Sequence, residues 1–126
     1  MPKMNPFFAN LALYQDMAKT LETDADFLMS LSSMESGWLN AHNQGLHNLF
    51  GVTAAGGNNL SFTTYQKAAD FWVEHFGDYV RGAKTMDAFA DGLKKAKYNS
   101  VNPAYYDELK KQLATVVKYK NACGIR

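Results

Sequence analysis

Apolar side chains recur at helical spacing along most of this chain, and the pattern gives way for long only once, between Gly37 and Thr64. The first periodic stretch follows Pro6 and carries Phe7, Phe8, Leu11, Tyr14 and Met17 to about Leu21. Thr23 or Asp24 offers an N-cap for a second helix bearing Phe27, Leu28, Leu31 and Met34, which Gly37 ends. Past the interruption, Thr64 caps a helix expected from Tyr65 to about Val80, with Ala68, Phe71, Trp72, His75, Phe76 and Tyr79 on one broad face. A shorter helix follows from about Thr85 to Lys97. Asn102 as cap and Pro103 at the first helical position open the last, whose stripe is Tyr106, Leu109, Leu113, Val116 and Val117. The sum is a mostly α chain of about five helices. Between the second and third lies a segment marked by Gly45, Gly51, Gly56 and Gly57 and by Asn43, Asn48, Asn58 and Asn59. It is a long loop or a small β-lobe, with room for a short hairpin near Leu49–Val52 and Leu60–Thr63. Loops of that length in a compact domain usually carry function.

With 47% apolar and 13% aromatic residues, the 126-residue chain can build a core, so one domain spanning residues 1–126 is expected. A net charge of +1 argues against a nucleic-acid partner. The charge is uneven, with acids gathered between Asp16 and Glu35 and lysines between Lys94 and Lys120, which a solvated helix face explains. The lone Cys123 cannot staple the fold. No apolar run is long enough to span a membrane, and Met1–Asn10 lacks the apolar stretch of a secretory signal. No cofactor motif is present: there is no phosphate loop and no nucleophile elbow, and His42 and His47 have no nearby acid or Cys to complete a metal site.

One position breaks the helical pattern. Leu28, Leu31 and Glu35 stand at i, i+3 and i+7, so a carboxyl occupies a place on the inward stripe of the second helix. Burial among apolar groups and the negative end of the helix dipole both disfavour its charged form. A carboxyl kept protonated near neutral pH can give its proton to a leaving glycosidic oxygen. The segment that follows is rich in groups that bind sugars: Trp38, His42, Asn43, Gln44, His47, Asn48, Asn58 and Asn59.

The stretch Ser33-Met34-Glu35-Ser36-Gly37-Trp38 resembles the Glu-Ser-Gly-Trp signature of bacterial glucosaminidases, glycoside hydrolase family 73 of the lysozyme-like superfamily. Three further motifs follow in the family's order. They are Asn48-Leu49-Phe50-Gly51-Val52, then Phe62 and Tyr65 ahead of a long helix, then Tyr98 with Asn102-Pro103-Ala104-Tyr105. The last departs from the family pattern by one extra residue and by Asn for Asp. The resemblance implies a lysozyme-like helical domain with Glu35 as catalytic acid, Tyr98 and Tyr105 near the reacting sugar, and Phe50 and Gly51 on the cleft floor. Trp38, His47, Asn48 and Tyr65 are the further candidates for substrate contacts.

The implied substrate is the glycan strand of peptidoglycan, cut by a β-N-acetylglucosaminidase that acts on the cell wall. A lytic transglycosylase, a muramidase and a non-catalytic wall-binding module on the same fold are the alternatives. No Asp or Glu lies between Glu35 and Asp70, so a carboxylate pair is not visible; Asp70 and Glu74 are the next acids. The missing leader suggests delivery by a secretion system, a holin or a fusion partner, as for injected toxins and phage lysins. An injected toxin would meet a cognate immunity protein.

Overall fold

The computed structural model describes residues 5–53 and 57–125. Outside them lie the first four residues of the N-terminal segment, the loop glycine Gly56 and the basic terminal Arg126. Among the described residues the chain is mostly helical, as expected, but with seven helices where about five were anticipated. These are α1 (Asn5–Phe8), α2 (Leu11–Leu21), α3 (Ala25–Ser36), α4 (Ala41–Leu46), α5 (Tyr65–Val80), α6 (Met86–Lys95) and α7 (Tyr105–Ala122).

The two extra helices have local causes. The first expected helix breaks at Ala9–Asn10 because the Asn10 amide donates to the Pro6 carbonyl at 3.2 Å, drawing the chain out of helical geometry. In the long loop, Asn40 Oδ1 accepts from the Asn43 N–H at 3.0 Å and starts α4. The hairpin expected further on shrinks to a single antiparallel bridge, Thr53 with Asn59, and one bond from the Leu60 N–H to the Val52 carbonyl. Of the two caps offered for the second helix it is Asp24 that accepts from the Asp26 N–H, and Thr64 accepts from the Lys67 N–H as read; Thr85, taken as the start of its helix, proves to be its cap and accepts from the Ala88 N–H. The last helix starts two residues later than Pro103, because Asn102 Oδ1 closes a tight turn on the Ala104 N–H instead of capping α7.

α3 is the central element. It packs against α2 and α7, while α5 packs on α2 and α6. It is buried nearly all round, so its small polar side chains must be satisfied internally. Ser30, Ser33 and Ser36 donate to carbonyls of their own helix, and Gln112 of α7 donates to Ser33. Ser32 gives its only proton to the Leu49 carbonyl, so the Tyr14 hydroxyl, 2.6 Å away, donates to Ser32. That chain of bonds ties α2, α3 and the Leu49–Phe50 segment together and sets the position of the loop beside the end of α3.

Candidate active site

Glu35 sits in the last turn of α3, where Gly37 ends the helix in the left-handed region. Leu28 and Leu31 on the same stripe are fully buried, and Glu35 is partly buried at the edge of an open cleft. The cleft has a volume of about 400 Å³, and Phe50, Gly51, Phe76 and Tyr98 share its walls with the carboxyl. Tyr105, at the first turn of α7, donates its hydroxyl to Glu35 Oε1 at 2.7 Å. Burial lifts the Glu35 pKa above the usual glutamate value, and the Tyr105 bond, which favours the carboxylate, takes back part of that lift.

The two tyrosines stay protonated. Burial raises Tyr105 far above the ordinary phenol value, and the Glu35 charge adds to it. Burial likewise raises Tyr98, the bond from Trp72 lowers it, and the Glu35 charge raises it again. Trp72 Nε1–H donates to Tyr98 Oη at 3.0 Å. Since the indole is only a donor, the Tyr98 proton remains to be given elsewhere. Trp72 also stacks on Phe50 with ring centres 5.0 Å apart, and Phe76 meets Tyr98 edge-on at 4.9 Å. The cleft is therefore built on packed aromatic rings, with hydroxyls and one carboxyl placed against them.

Gly51 sets the approach of the loop. Its φ is +59°, and a Cβ there would run into the backbone carbonyl of Glu35. Only glycine meets both conditions at once: a left-handed backbone and direct backbone contact with the end of α3.

The sequence profile of the glucosaminidase family, described as mannosyl-glycoprotein endo-beta-N-acetylglucosaminidase, matches residues 11–123. The chain belongs to the glucosaminidase family. It is thus a glycoside hydrolase by family, and its fold agrees. A peptidoglycan hydrolase from Sphingomonas sp. A1 superposes with a TM-score of 0.80 at 20% identity, covering 93% of each chain. The protein in a type VI secretion system effector–immunity complex from Pseudomonas protegens superposes with a TM-score of 0.79 at 24% identity, covering 91% of this chain and 92% of that one. At these identities the likeness speaks for the lysozyme-like fold. A search of curated protein sequences gives no significant match.

Within this glucosaminidase domain the structure brings together Glu35, Phe50, Gly51 and Tyr98 around the cleft, with Tyr105 bonded to the carboxyl but not among the lining residues. Four candidates fall elsewhere. Trp38 takes a left-handed backbone at φ +59° and packs between Phe7, Phe8 and Tyr119, so it belongs to an aromatic cluster away from the cleft. Asn48 is fully buried; its amide donates to the Val52 and Leu60 carbonyls and its oxygen accepts from the Val52 N–H, so it ties the loop together. His47 Nδ1 bonds the Phe62 carbonyl, and its ring meets Tyr65 edge-on at 4.9 Å; neither residue lines the cleft.

Six lining residues were not singled out for the site in the sequence: Val52, Thr53, Phe71, His75, Phe76 and Lys97. The apolar face of α5 is wider than one core contact needs, and Phe71, His75 and Phe76 are the excess. Lys97 stands directly before Tyr98. The acids Asp70 and Glu74 are exposed and border a different groove between α2 and α5, with Asp16 and Thr20. Among the described residues Glu35 is the only acid lining the cleft.

Proposed function

We propose that this glucosaminidase cuts the glycan strand of peptidoglycan at the bond following N-acetylglucosamine, with Glu35 as general acid. The observation that carries the reading is the partly buried Glu35 carboxyl at the cleft edge, where burial disfavours its charged form and Tyr105 donates a hydrogen bond to it. The family description, an endo-β-N-acetylglucosaminidase, supports the bond. The shared fold with a peptidoglycan hydrolase supports the polymer.

Glu35 gives its proton to the glycosidic oxygen as the C1–O bond breaks. Glu35 is the only acid among the described lining residues, and in this reading the substrate supplies the nucleophile. The N-acetyl carbonyl oxygen attacks C1 from the opposite face and forms a cyclic oxazolinium ion. Water then opens that ring at C1 while the Glu35 carboxylate takes up its proton. Tyr98, its oxygen fixed by Trp72, has a proton to donate into the cleft, where it orients the acetamido group or the water. Tyr105 stabilises the Glu35 carboxylate between the two proton transfers. Two displacements at C1 retain the β configuration.

The shared fold with a protein of a type VI secretion system effector–immunity complex supports a toxin that is delivered to the wall, with an immunity partner that covers the Glu35 cleft. Directed to the periplasm of a Gram-negative host, the chain should lyse the cells; kept in the cytoplasm, it should leave growth near normal. Equal toxicity from both compartments would contradict the wall as target. A partner protein that binds the chain without slowing lysis would contradict the plugging role.

A further inference from the structure

The cleft holds a cation that the chemistry above leaves unused. Lys97 lines it together with Glu35 and Tyr98. It follows the end of α6 in a tight reverse turn: its N–H bonds the Lys94 carbonyl, and the Tyr98 N–H reaches back to the Leu93 carbonyl. That turn requires a left-handed residue, and Lys97 has φ +55°. Glycine is the usual occupant, and any other residue is strained there. The turn itself explains why Tyr98 swings into the cleft, but it gives no reason for a lysine. Nor does a partner within the fold. Among the described residues the ion pairs are Arg81 with Asp78, Lys110 with Asp87 and Lys120 with Asp26, and nearby Lys94 lies over the Tyr106 ring at 5.5 Å. The Lys97 side chain is exposed at the cleft, where it is the only ammonium among the described lining residues.

We infer that Lys97 binds a carboxylate carried by the muramyl residue on the leaving-group side of the scissile bond, and so selects peptidoglycan over uncharged glucosamine polymers. The inference rests on the peptidoglycan reading above. The oxygen that receives the Glu35 proton would be O4 of the muramyl residue. The neighbouring O3 carries that sugar's lactyl ether. Glu35 and Lys97 line the same cleft, and O4 and O3 are adjacent on the ring. The carboxylate is either the free lactyl group of a peptide-stripped strand or an acidic group of the stem peptide. The shared chemistry is a charge-assisted bond from ammonium to carboxylate.

The test compares initial rates of the parent and of Lys97→Gly on three substrates. These are peptidoglycan with its stem peptides, strands stripped by an amidase, and stripped strands whose carboxylates have been methylamidated. Glycine suits the left-handed turn, so the variant should melt no lower than the parent. The parent should favour charged over neutralised strands by about tenfold in kcat/KM, the size of one charge-assisted hydrogen bond, and Lys97→Gly should lose that preference. Lys97→Arg should keep it. Loss on stripped strands assigns the lactyl carboxylate, and loss on intact peptidoglycan alone assigns the stem peptide. A parent without preference, or a Lys97→Gly variant that keeps it, overturns the role of Lys97. A parent that cuts none of the three overturns the peptidoglycan reading itself.

Discussion

Glu35→Gln should lower glycan cleavage by about 10³-fold or more while leaving the chain folded. The swap removes the transferable proton and almost no volume, and the amide oxygen can still accept from Tyr105. The same variant should also be the more heat-resistant protein at neutral pH. Glu35 has a raised pKa in the native state, so between the ordinary carboxyl value and that raised value the folded chain holds a proton the unfolded chain has released. Stability therefore falls as pH rises through this window, and glutamine is exempt. The melting temperature of Glu35→Gln should exceed that of the parent at about pH 7, and the gap should close below about pH 3, where both states of the parent are protonated. A folded Gln variant with near-parental lysis would remove Glu35 from the chemistry. A gap that does not change with pH would mean that burial does not perturb its carboxyl.

The hydroxyls of Tyr98 and Tyr105 should each matter to turnover, in different ways. Tyr98→Phe leaves the Trp72 indole N–H without its acceptor and takes away the hydroxyl proton that the Trp72 bond does not use. We expect a loss of about 10²-fold in rate across the pH range, with a destabilisation of about 1 kcal/mol from the lost bond. Tyr105→Phe acts on Glu35. The lost bond had favoured the carboxylate, so the Glu35 pKa should rise further. Activity needs the protonated acid, so the alkaline limb of the pH–rate profile should move to higher pH, together with a lower maximum rate. In the parent, freshly released reducing ends should be β anomers by NMR, as two displacements at C1 require. Inverted product would assign the nucleophile to water in place of the acetamido group. If both Phe variants keep parental rates and pH profiles, the two tyrosines serve only the core.

Much of this was legible in the sequence wherever one residue has one local job. Asp24 and Thr64 cap helices because their side-chain oxygens meet backbone N–H groups two or three residues on, a relation that needs no tertiary structure. Glu35 stood out because a carboxyl on an apolar stripe is costly unless it is used. Gly51 and Tyr98 came through the order of motifs, and only the structure shows why Gly51 must be glycine: the carbonyl it approaches belongs to Glu35. The errors share one cause, since a side chain's type does not reveal its direction. Trp38 and Asn48 looked like sugar-binding groups, but a left-handed turn sends Trp38 toward Phe7 and Tyr119, and three backbone bonds occupy Asn48. Phe71 and His75 looked like core, yet α5 turns them toward the cleft. Lys97 carries no motif at all. Its place follows from the turn that ends α6.

The most direct measurement of the central claim is mass spectrometry of digested peptidoglycan after borohydride reduction, which labels the sugar at each new reducing end. The account predicts label on N-acetylglucosamine with the parent and none above background with Glu35→Gln. Label on N-acetylmuramic acid would make the enzyme a muramidase. Anhydro ends, which resist reduction, would make it a transglycosylase. No new ends at all from the folded parent would make the domain a binding module.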